Sequence, residues 1–169
     1  DFRYIIGLDT NKTQYLLYYD PEFAIRTDDI PLELDKYYST NGVGFMRASH
    51  TDVDSIYVAI SGGRGGHYDR GSFIMDSIGE RWIVDLGRNG SHTMYFLDRA
   101  DVHSDLVINP SADDKGQNTE VFAKAVKFES KDRGAQIVYD LTGNYGKWVN
   151  NYKRGFMVSD NRNTLTVRD

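Results

Sequence analysis

The chain has 169 residues, of which 40% are hydrophobic and 27% are charged, and this balance indicates one globular domain with a sizeable core. The net charge of −5 argues against a nucleic-acid partner, and no apolar run is long enough to span a bilayer. The absence of cysteine excludes disulfides and thiolate metal sites, although it does not exclude export from the cell.

Residues 1–34 are predicted to form an N-terminal segment and linker. Apolar runs at residues 4–8 and 13–19 are compatible with a buried helix that continues a preceding region, and the acidic stretch after them indicates a linker. Because the chain starts at Asp1 without methionine, we expect a processed product or a piece of a longer protein.

From residue 35 to residue 169, short strand patterns alternate with polar turns. Strands are predicted at residues 43–48, 55–60, 72–78, 81–86, 106–110, 121–129, 135–141, 153–159 and 164–168. Strands of this length, separated by short polar turns, are typical of an antiparallel β-sandwich. The predicted fold class is therefore all-β, with two large twisted sheets in a single domain over residues 35–169.

A glycine-rich stretch, residues 62–73, separates two of these strands. It contains five glycines together with His67, Asp69 and two arginines. Glycines at this density let a backbone turn sharply and approach a ligand closely. The stretch is therefore the first candidate for a functional loop.

The following hairpin brings a further carboxylate to this region. With residues 79 and 80 as the centre of a tight turn, Ile78 is predicted to pair with Arg81 and Ile74 with Asp85. This register places Asp85 at the same end of the sheet as the glycine-rich stretch.

Two of the four histidines have an informative context. His50 and His92 lie in apparent turns and are expected to be exposed or structural. His67 follows the glycines, and His103 comes shortly before the apolar run that starts at residue 106. These two imidazoles are the candidates for chemistry.

His67 and His103 with the carboxylate of Asp85 would make a two-histidine, one-aspartate set that suits zinc. Asp69 would then orient an imidazole by accepting its other N–H. Spacing alone favours a simpler alternative, a hydrogen-bonded His–Asp pair at a strand end without metal.

The order of several short motifs resembles the C-terminal β-sandwich of heparinase II/III-type polysaccharide lyases. The matching motifs are Gly42-Val43-Gly44-Phe45-Met46-Arg47-Ala48-Ser49, His67-x-Asp69-x-Gly71-Ser72-Phe73, Gly79-x-Arg81-Trp82-x-x-Asp85-Leu86-Gly87 and Arg99-x-x-x-His103. The resemblance covers roughly residues 40–110, and residues 111–169 fit as a continuing sandwich.

The resemblance implies the sandwich part of an enzyme that cleaves uronic-acid-containing polysaccharide by β-elimination. Members of this family join the sandwich to an N-terminal (α/α) toroid that carries at least the catalytic tyrosine. Several members hold a structural zinc, whose ligands here would be His67, Asp85 and His103. The implied partners are an acidic polysaccharide and the chain's own toroid domain, and the implied location is the bacterial periplasm or exterior.

Three positions depart from the family pattern. Arg64 and Gly65 stand where the family commonly has Asn-His, whose histidine faces the catalytic cleft, and Ser104 replaces the asparagine that often follows the second histidine. Arg64 is a candidate for neutralising a substrate carboxylate, since guanidinium suits carboxylate, or it is a rim charge. We expect no lyase activity from this chain alone.

Two other classes of function stay open. In a non-catalytic carbohydrate-binding sandwich, Tyr57, Tyr68, Tyr95 and Trp148 would stack on sugars, although a sandwich core accounts for most aromatic residues. The third class is a structural domain with a His–Asp network and no ligand. A group of arginines either binds an acidic sugar or consists of solvated charges: Arg64, Arg70, Arg81, Arg88 and Arg99.

Overall fold

The structure, a computed structural model, describes residues 32–63, 67–86 and 95–169, with the side chains of residues 95 and 96 left out. Residues Leu34–Asp169 form one compact unit. The first sheet consists, in spatial order, of β1 (Lys36–Tyr38), β2 (Val43–Arg47), β3 (Tyr57–Ile60), β4 (Phe73–Ser77) and β5 (Glu80–Ile83). The second consists of β6 (Lys124–Lys131), β7 (Gly134–Asp140), β8 (Lys153–Ser159) and β9 (Thr164–Arg168).

Both sheets are antiparallel meanders, and they form the predicted all-β sandwich. Two 3-10 helices, Tyr95–Asp98 and Ala100–Val102, lie between the sheets in sequence, and a short α-helix, α1 (Thr142–Tyr145), connects β7 to β8. In the described part of the chain, no helix is both long and apolar enough to cross a membrane.

The core forms because buried and less buried residues alternate along the central strands. This period of two turns every second side chain toward the opposite sheet. β7 buries Ile137 and Tyr139, and β8 buries Phe156 and Val158. Phe73 of β4 packs edge-on against Phe156 with ring centroids 5.1 Å apart, which joins the two sheets beneath the glycine-rich stretch.

One predicted strand is absent, because residues 106–110 form no ladder with the described residues. Leu106 and Ile108 pack against the core, and the Leu106 carbonyl accepts a hydrogen bond from the Tyr145 hydroxyl at 2.8 Å. Asn109 has a φ of 49°, and Pro110 has no N–H to offer a neighbouring strand. The apolar residues 106 and 108 therefore belong to a loop that covers the core.

The β4–β5 hairpin turns one residue earlier than predicted, so the predicted pairing of Ile78 with Arg81 is wrong. The observed pairs are Ser77–Glu80 and Asp76–Arg81, followed by a bulge. Ile78 and Gly79 occupy the turn with φ values of 54° and 71°, as the preferred two-residue hairpin turn requires. The N–H of Ile78 donates to the Asp54 carbonyl at 2.9 Å, which anchors this unusual turn residue.

A buried ion pair closes one end of the sandwich. The Asp35 side chain is completely buried and accepts from Arg162 at 2.9 and 2.7 Å, across 127 residues of sequence. Arg162 lies in the β8–β9 turn, whose three residues 160–162 all have positive φ. Its guanidinium also donates to the carbonyls of Arg47, Lys131 and Asp132.

We expect Asp35→Ala to lower the free energy of unfolding by about 3–5 kcal/mol, because it leaves the Arg162 charge buried without its partner. Asp76→Ala is the matched control, since it breaks the Arg81 pair, whose side chains are 50% and 32% exposed. The control should change stability by no more than about 1 kcal/mol. Urea unfolding of both variants measures the difference, and equal losses would contradict the role given to Asp35.

Candidate functional site

The glycine-rich stretch takes its shape from backbone conformations that favour glycine. Gly63 and Gly71 have φ values of 55° and 92°. A Cβ on Gly71 would also meet Leu141 Cδ1 at 2.8 Å. The Gly71 N–H donates to the Ser61 carbonyl at 2.7 Å, which returns the chain to the sheet.

Arg70 holds this stretch from inside, because its side chain is only 1% exposed. Its Nη1 donates to the His67 carbonyl and lies 3.3 Å from Asp69 Oδ1, and its Nη2 donates to the Thr119 carbonyl at 3.0 Å. The Gln117 side-chain amide accepts a hydrogen bond from the Arg70 N–H and donates one to the Arg70 carbonyl, each at 3.0 Å. Arg70 is therefore a buried structural cation, and it is neither a solvated charge nor a group open to an acidic sugar.

Asp85 and His103 form a close pair next to this stretch. Nδ1 of His103 lies 3.0 and 3.1 Å from the two carboxylate oxygens of Asp85, and the His103 side chain is 1% exposed. Burial alone would lower the pKa of His103, but the hydrogen bond and charge of Asp85, with smaller effects of Asp69 and the Leu97 carbonyl, raise it above its ordinary value.

Two serine hydroxyls lie next to this pair, and the four side chains of Asp85, His103, Ser72 and Ser104 are called the serine ring here. Ser72 donates to Asp85 Oδ2, and its Oγ lies 3.1 Å from that of Ser104. Ser104, next to His103 in sequence, accepts the Phe73 N–H at 2.7 Å and donates to the Phe73 carbonyl at 2.6 Å. The ring fixes the Asp85 carboxylate relative to β4 and to the His103 segment.

Arg154 of β8 joins these segments to the second sheet. Its Nη1 donates to the carbonyls of Gly71 at 3.1 Å and Ser104 at 2.9 Å. Asp169 accepts from its Nε and Nη2 at 2.6 and 2.9 Å. Sequence reasoning missed Arg154 and the roles of Ser72 and Ser104. Arg154 could have been found from the sequence, because it occupies a core-facing position in a strand whose buried and exposed residues alternate.

His67 lies near the pair, with its ring tilted against that of His103. Its ring centroid is 6.5 Å from that of His103, and its Nδ1 is 3.9 Å from Asp98 Oδ1. Asp69, the predicted partner of an imidazole, instead binds Arg70 and lies 3.3 Å from the Ser61 hydroxyl. Asp98 is therefore the carboxylate facing His67 in the structure.

The metal set predicted from the sequence is only partly assembled. Among the residues that the structure describes, no three His, Cys, Asp or Glu side chains converge in a way that could hold a metal ion. Asp85 and His103 are in contact, and His103 Nε2 is buried without a hydrogen-bond partner in the described residues. The donor types suit zinc, but Asp85 faces Nδ1 and the unpaired nitrogen is Nε2 on the other side of the ring, so the present arrangement does not direct both groups at one ion.

Several predicted residues lie outside the described ranges. They are Arg64, Gly65, Arg88, His92 and the N-terminal segment through residue 31. Of the remaining arginines, Arg81 binds both oxygens of Asp76 at 2.7 and 3.0 Å, and Arg99 binds Asp101 at 3.0 Å. Arg81 and Arg99 are therefore neutralised at the surface by neighbouring carboxylates.

The aromatic residues proposed for sugar stacking differ in environment. The Tyr57 ring stacks against Phe45, and the Arg47 guanidinium lies 4.8 Å from its centroid, so it packs within its own sheet. Tyr68 is half-buried with Lys115 Nζ 5.3 Å from its ring, and Trp148 is half-buried against the core. The side chain of Tyr95 is outside the description.

The fold is that of a domain found in a known polysaccharide lyase. A crystal structure of a mutant heparan sulfate lyase, HepC from Pedobacter heparinus, matches 80% of this chain with a TM-score of 0.58 and 18% sequence identity. The match spans 22% of the lyase chain. No protein-family model matches the sequence, and no curated protein matches it significantly. At this identity the likeness establishes the fold and leaves the activity to be tested.

Asp105 lies beneath the site and carries an unusual ionisation. Its side chain is fully buried, 3.5 Å from Arg154 Nη1 and 3.1 Å from Gln117 Nε2. Burial raises the pKa of Asp105 well above 3.8, although Arg154 and Gln117 act in the opposite direction. Folding therefore favours the protonated form of this carboxyl group.

This raised pKa predicts a pH-dependent effect of Asp105→Asn. The protonated carboxyl contributes its full stability below about pH 3.8, and this contribution is lost as the pH rises through the higher folded-state pKa. The free energy of unfolding of the parent chain should therefore fall relative to the variant as the pH rises above about 4. Urea unfolding at several pH values tests this. A relative rise of the parent would show that Arg154 keeps Asp105 ionised.

Proposed function

We propose that this chain is the β-sandwich part of a bacterial polysaccharide lyase that acts on uronic-acid-containing polysaccharide. The observation that carries the proposal is the fold match to a heparan sulfate lyase over most of this chain. The sequence motifs around His67, Asp85 and His103 also support it, because they occur in the same order as in heparinase II/III-type lyases, which they resemble. Because polymeric uronides occur outside the cytoplasm, the proposal includes a periplasmic or secreted location.

The proposed reaction is β-elimination next to a uronate carboxylate. A base removes the C5 proton, the C4–O bond breaks, a C4–C5 double bond forms, and an acid protonates the leaving oxygen. Neutralising the carboxylate stabilises the charge that develops at C5. In this proposal Arg64 contacts that carboxylate, while a helical toroid domain supplies at least the base.

The proposal also includes a structural zinc held by His67, Asp85 and His103, with Asp69 nearby as a supporting carboxylate. The proximity of Asp85 to His103 and of His103 to His67 supports it, and ligation of one ion by both Asp85 and His103 requires zinc to replace their present hydrogen bond at Nδ1. When bound, zinc would act as a cross-link between the glycine-rich stretch, the end of the hairpin and the His103 segment. The serine ring would keep Asp85 in position, as hydrogen bonds to metal ligands generally do.

Metal analysis tests this part directly. We expect the purified chain to hold about one zinc ion and to melt at a lower temperature after chelation, since metal bound only by the native state stabilises it. His103→Ala and Asp85→Asn should abolish zinc retention. His50→Ala is the control, because His50 is exposed and contacts Arg47 at 3.2 Å. Elemental mass spectrometry measures the zinc content per chain, and a parent chain without zinc would contradict the metal site.

The catalytic part of the proposal predicts that the chain alone is inactive. Incubated with heparan sulfate or alginate, it should give no rise in the ultraviolet absorbance of the unsaturated product. Joined to the helical region of its parent protein, it should give turnover, and Arg64→Ala should reduce kcat/KM by about 10²-fold or more through lost charge stabilisation. Turnover by the isolated chain, or none by the joined protein, would contradict the assignment.

A further inference from the structure

A cleft of about 380 Å³ lies between the loop at residues 114–118 and the segment at residues 143–148. Its volume is at the lower end of the range for small-ligand sites. Polar side chains and two glycines line most of it, and Trp148 forms an aromatic wall. No role in the proposed metal site or elimination reaction accounts for it.

Hydrogen bonds and an ion pair hold the two walls in place. At the base, the Asn144 carbonyl accepts the Asn118 N–H at 2.7 Å, and the Asn144 amide donates to the Asn118 carbonyl at 2.9 Å. At the rim, Lys147 pairs with Asp114. Since both ends are fastened, the cleft is already formed before any ligand enters, which reduces the entropic cost of binding.

The cleft presents hydrogen-bond donors that the described part of the chain does not use. The Trp148 indole N–H and the Asn118 amide NH₂ form no hydrogen bond among the described residues. Trp148 is half-buried, with its ring tilted against Tyr145 at a centroid distance of 6.3 Å. The Lys147 ammonium lies over the Trp148 ring, 5.2 Å from its centroid, and a sugar stacked on that face would displace it. An aromatic surface beside amide and indole donors is suited to a ring that has an apolar C–H face and hydroxyl groups at its edge.

We propose that this cleft is a binding subsite for one pyranose unit of a polysaccharide. Trp148 contacts the C–H face of the sugar, and the Asn118 amide donates to a hydroxyl or ring oxygen. Lys147 and Asp114 neutralise each other, so recognition depends on hydroxyl groups more than on the charge of the polymer. The choice of a sugar among hydroxylated ligands rests on the proposed function.

The chain contains only two tryptophans, which provides an internal control. Trp82 is 60% exposed on β5, and its indole N–H already donates to the Ser77 carbonyl at 2.7 Å. In an NMR titration with a heparan-sulfate-derived tetrasaccharide, the Trp148 indole signal should shift and saturate, and the Trp82 signal should not. Raising the salt concentration to 0.5 M should change Kd less than about threefold, since screening has little effect on neutral contacts.

Two variants test the assignment at the cleft. Trp148→Ala should weaken binding at least about tenfold through the lost aromatic contact, whereas Trp82→Ala should not change it. Because Trp148→Ala also removes packing, Gly146→Leu is the second variant. Gly146 lines the cleft with φ −59° and ψ −12°, which leucine can adopt, and a Cβ there would lie 3.3 Å from the Thr142 carbonyl oxygen. The leucine side chain should block the ligand, and a melting curve of the variant checks that the chain still folds.

A Trp148 signal that stays unchanged up to millimolar sugar would overturn the proposal, as would binding that survives both variants. Zinc measured on the same samples separates the two assignments. Zinc retention without a Trp148 shift rejects the cleft alone, and a saturable shift in a zinc-free chain rejects the metal site alone.

Discussion

The guanidinium of Arg154 is the interaction on which the candidate site depends. Arg154 belongs to β8, yet it donates to the carbonyls of Gly71 and Ser104, on the two segments that carry the site. Its buried charge is offset by Asp169 through two hydrogen bonds. A planar group with five N–H donors can hold three segments at once, which the ammonium group of lysine cannot do with the same geometry. The site is therefore a product of both sheets.

The surroundings of His103 bear on both the proposed metal site and the simpler His–Asp pair. Its Nδ1 faces Asp85, whose carboxylate Ser72 also binds, so one side of the ring is satisfied. Its Nε2 is buried without a hydrogen bond in the described residues. Leaving such a polar atom unpaired costs about 1–3 kcal/mol, a cost that a purely structural His–Asp pair would not offset. A metal on Nε2 would remove this cost, but Asp85 faces Nδ1 on the other side of the ring and would then act as a hydrogen-bond partner of the histidine and not as a second ligand.

Sequence patterns predicted the fold well where burial alternates strictly. The strands predicted at residues 153–159 and 164–168 match β8 and β9, because every second residue faces the other sheet. The pattern failed at residues 106–110, where apolar residues cover the core without pairing, and at the hairpin, where a bulge shifts the register. The proximity of Asp85 to His103 followed from motif order. The supporting hydrogen bonds of Arg154, Ser72 and Ser104 did not, since they join residues 13 to 83 positions apart.

The proposed binding sites and the proposed catalytic groups rest on different parts of the protein. The serine ring, the Asp85–His103 pair and the Trp148 cleft all consist of residues of the sandwich, and the described contacts fix them without a second domain. Elimination needs in addition a base and an acid placed within hydrogen-bond reach of the sugar. Under the two proposals, metal and sugar binding would rest on residues of this chain alone, whereas turnover would also need a base and an acid from another domain. A variant could therefore lose turnover and keep the proposed binding sites, because these depend on different groups of contacts.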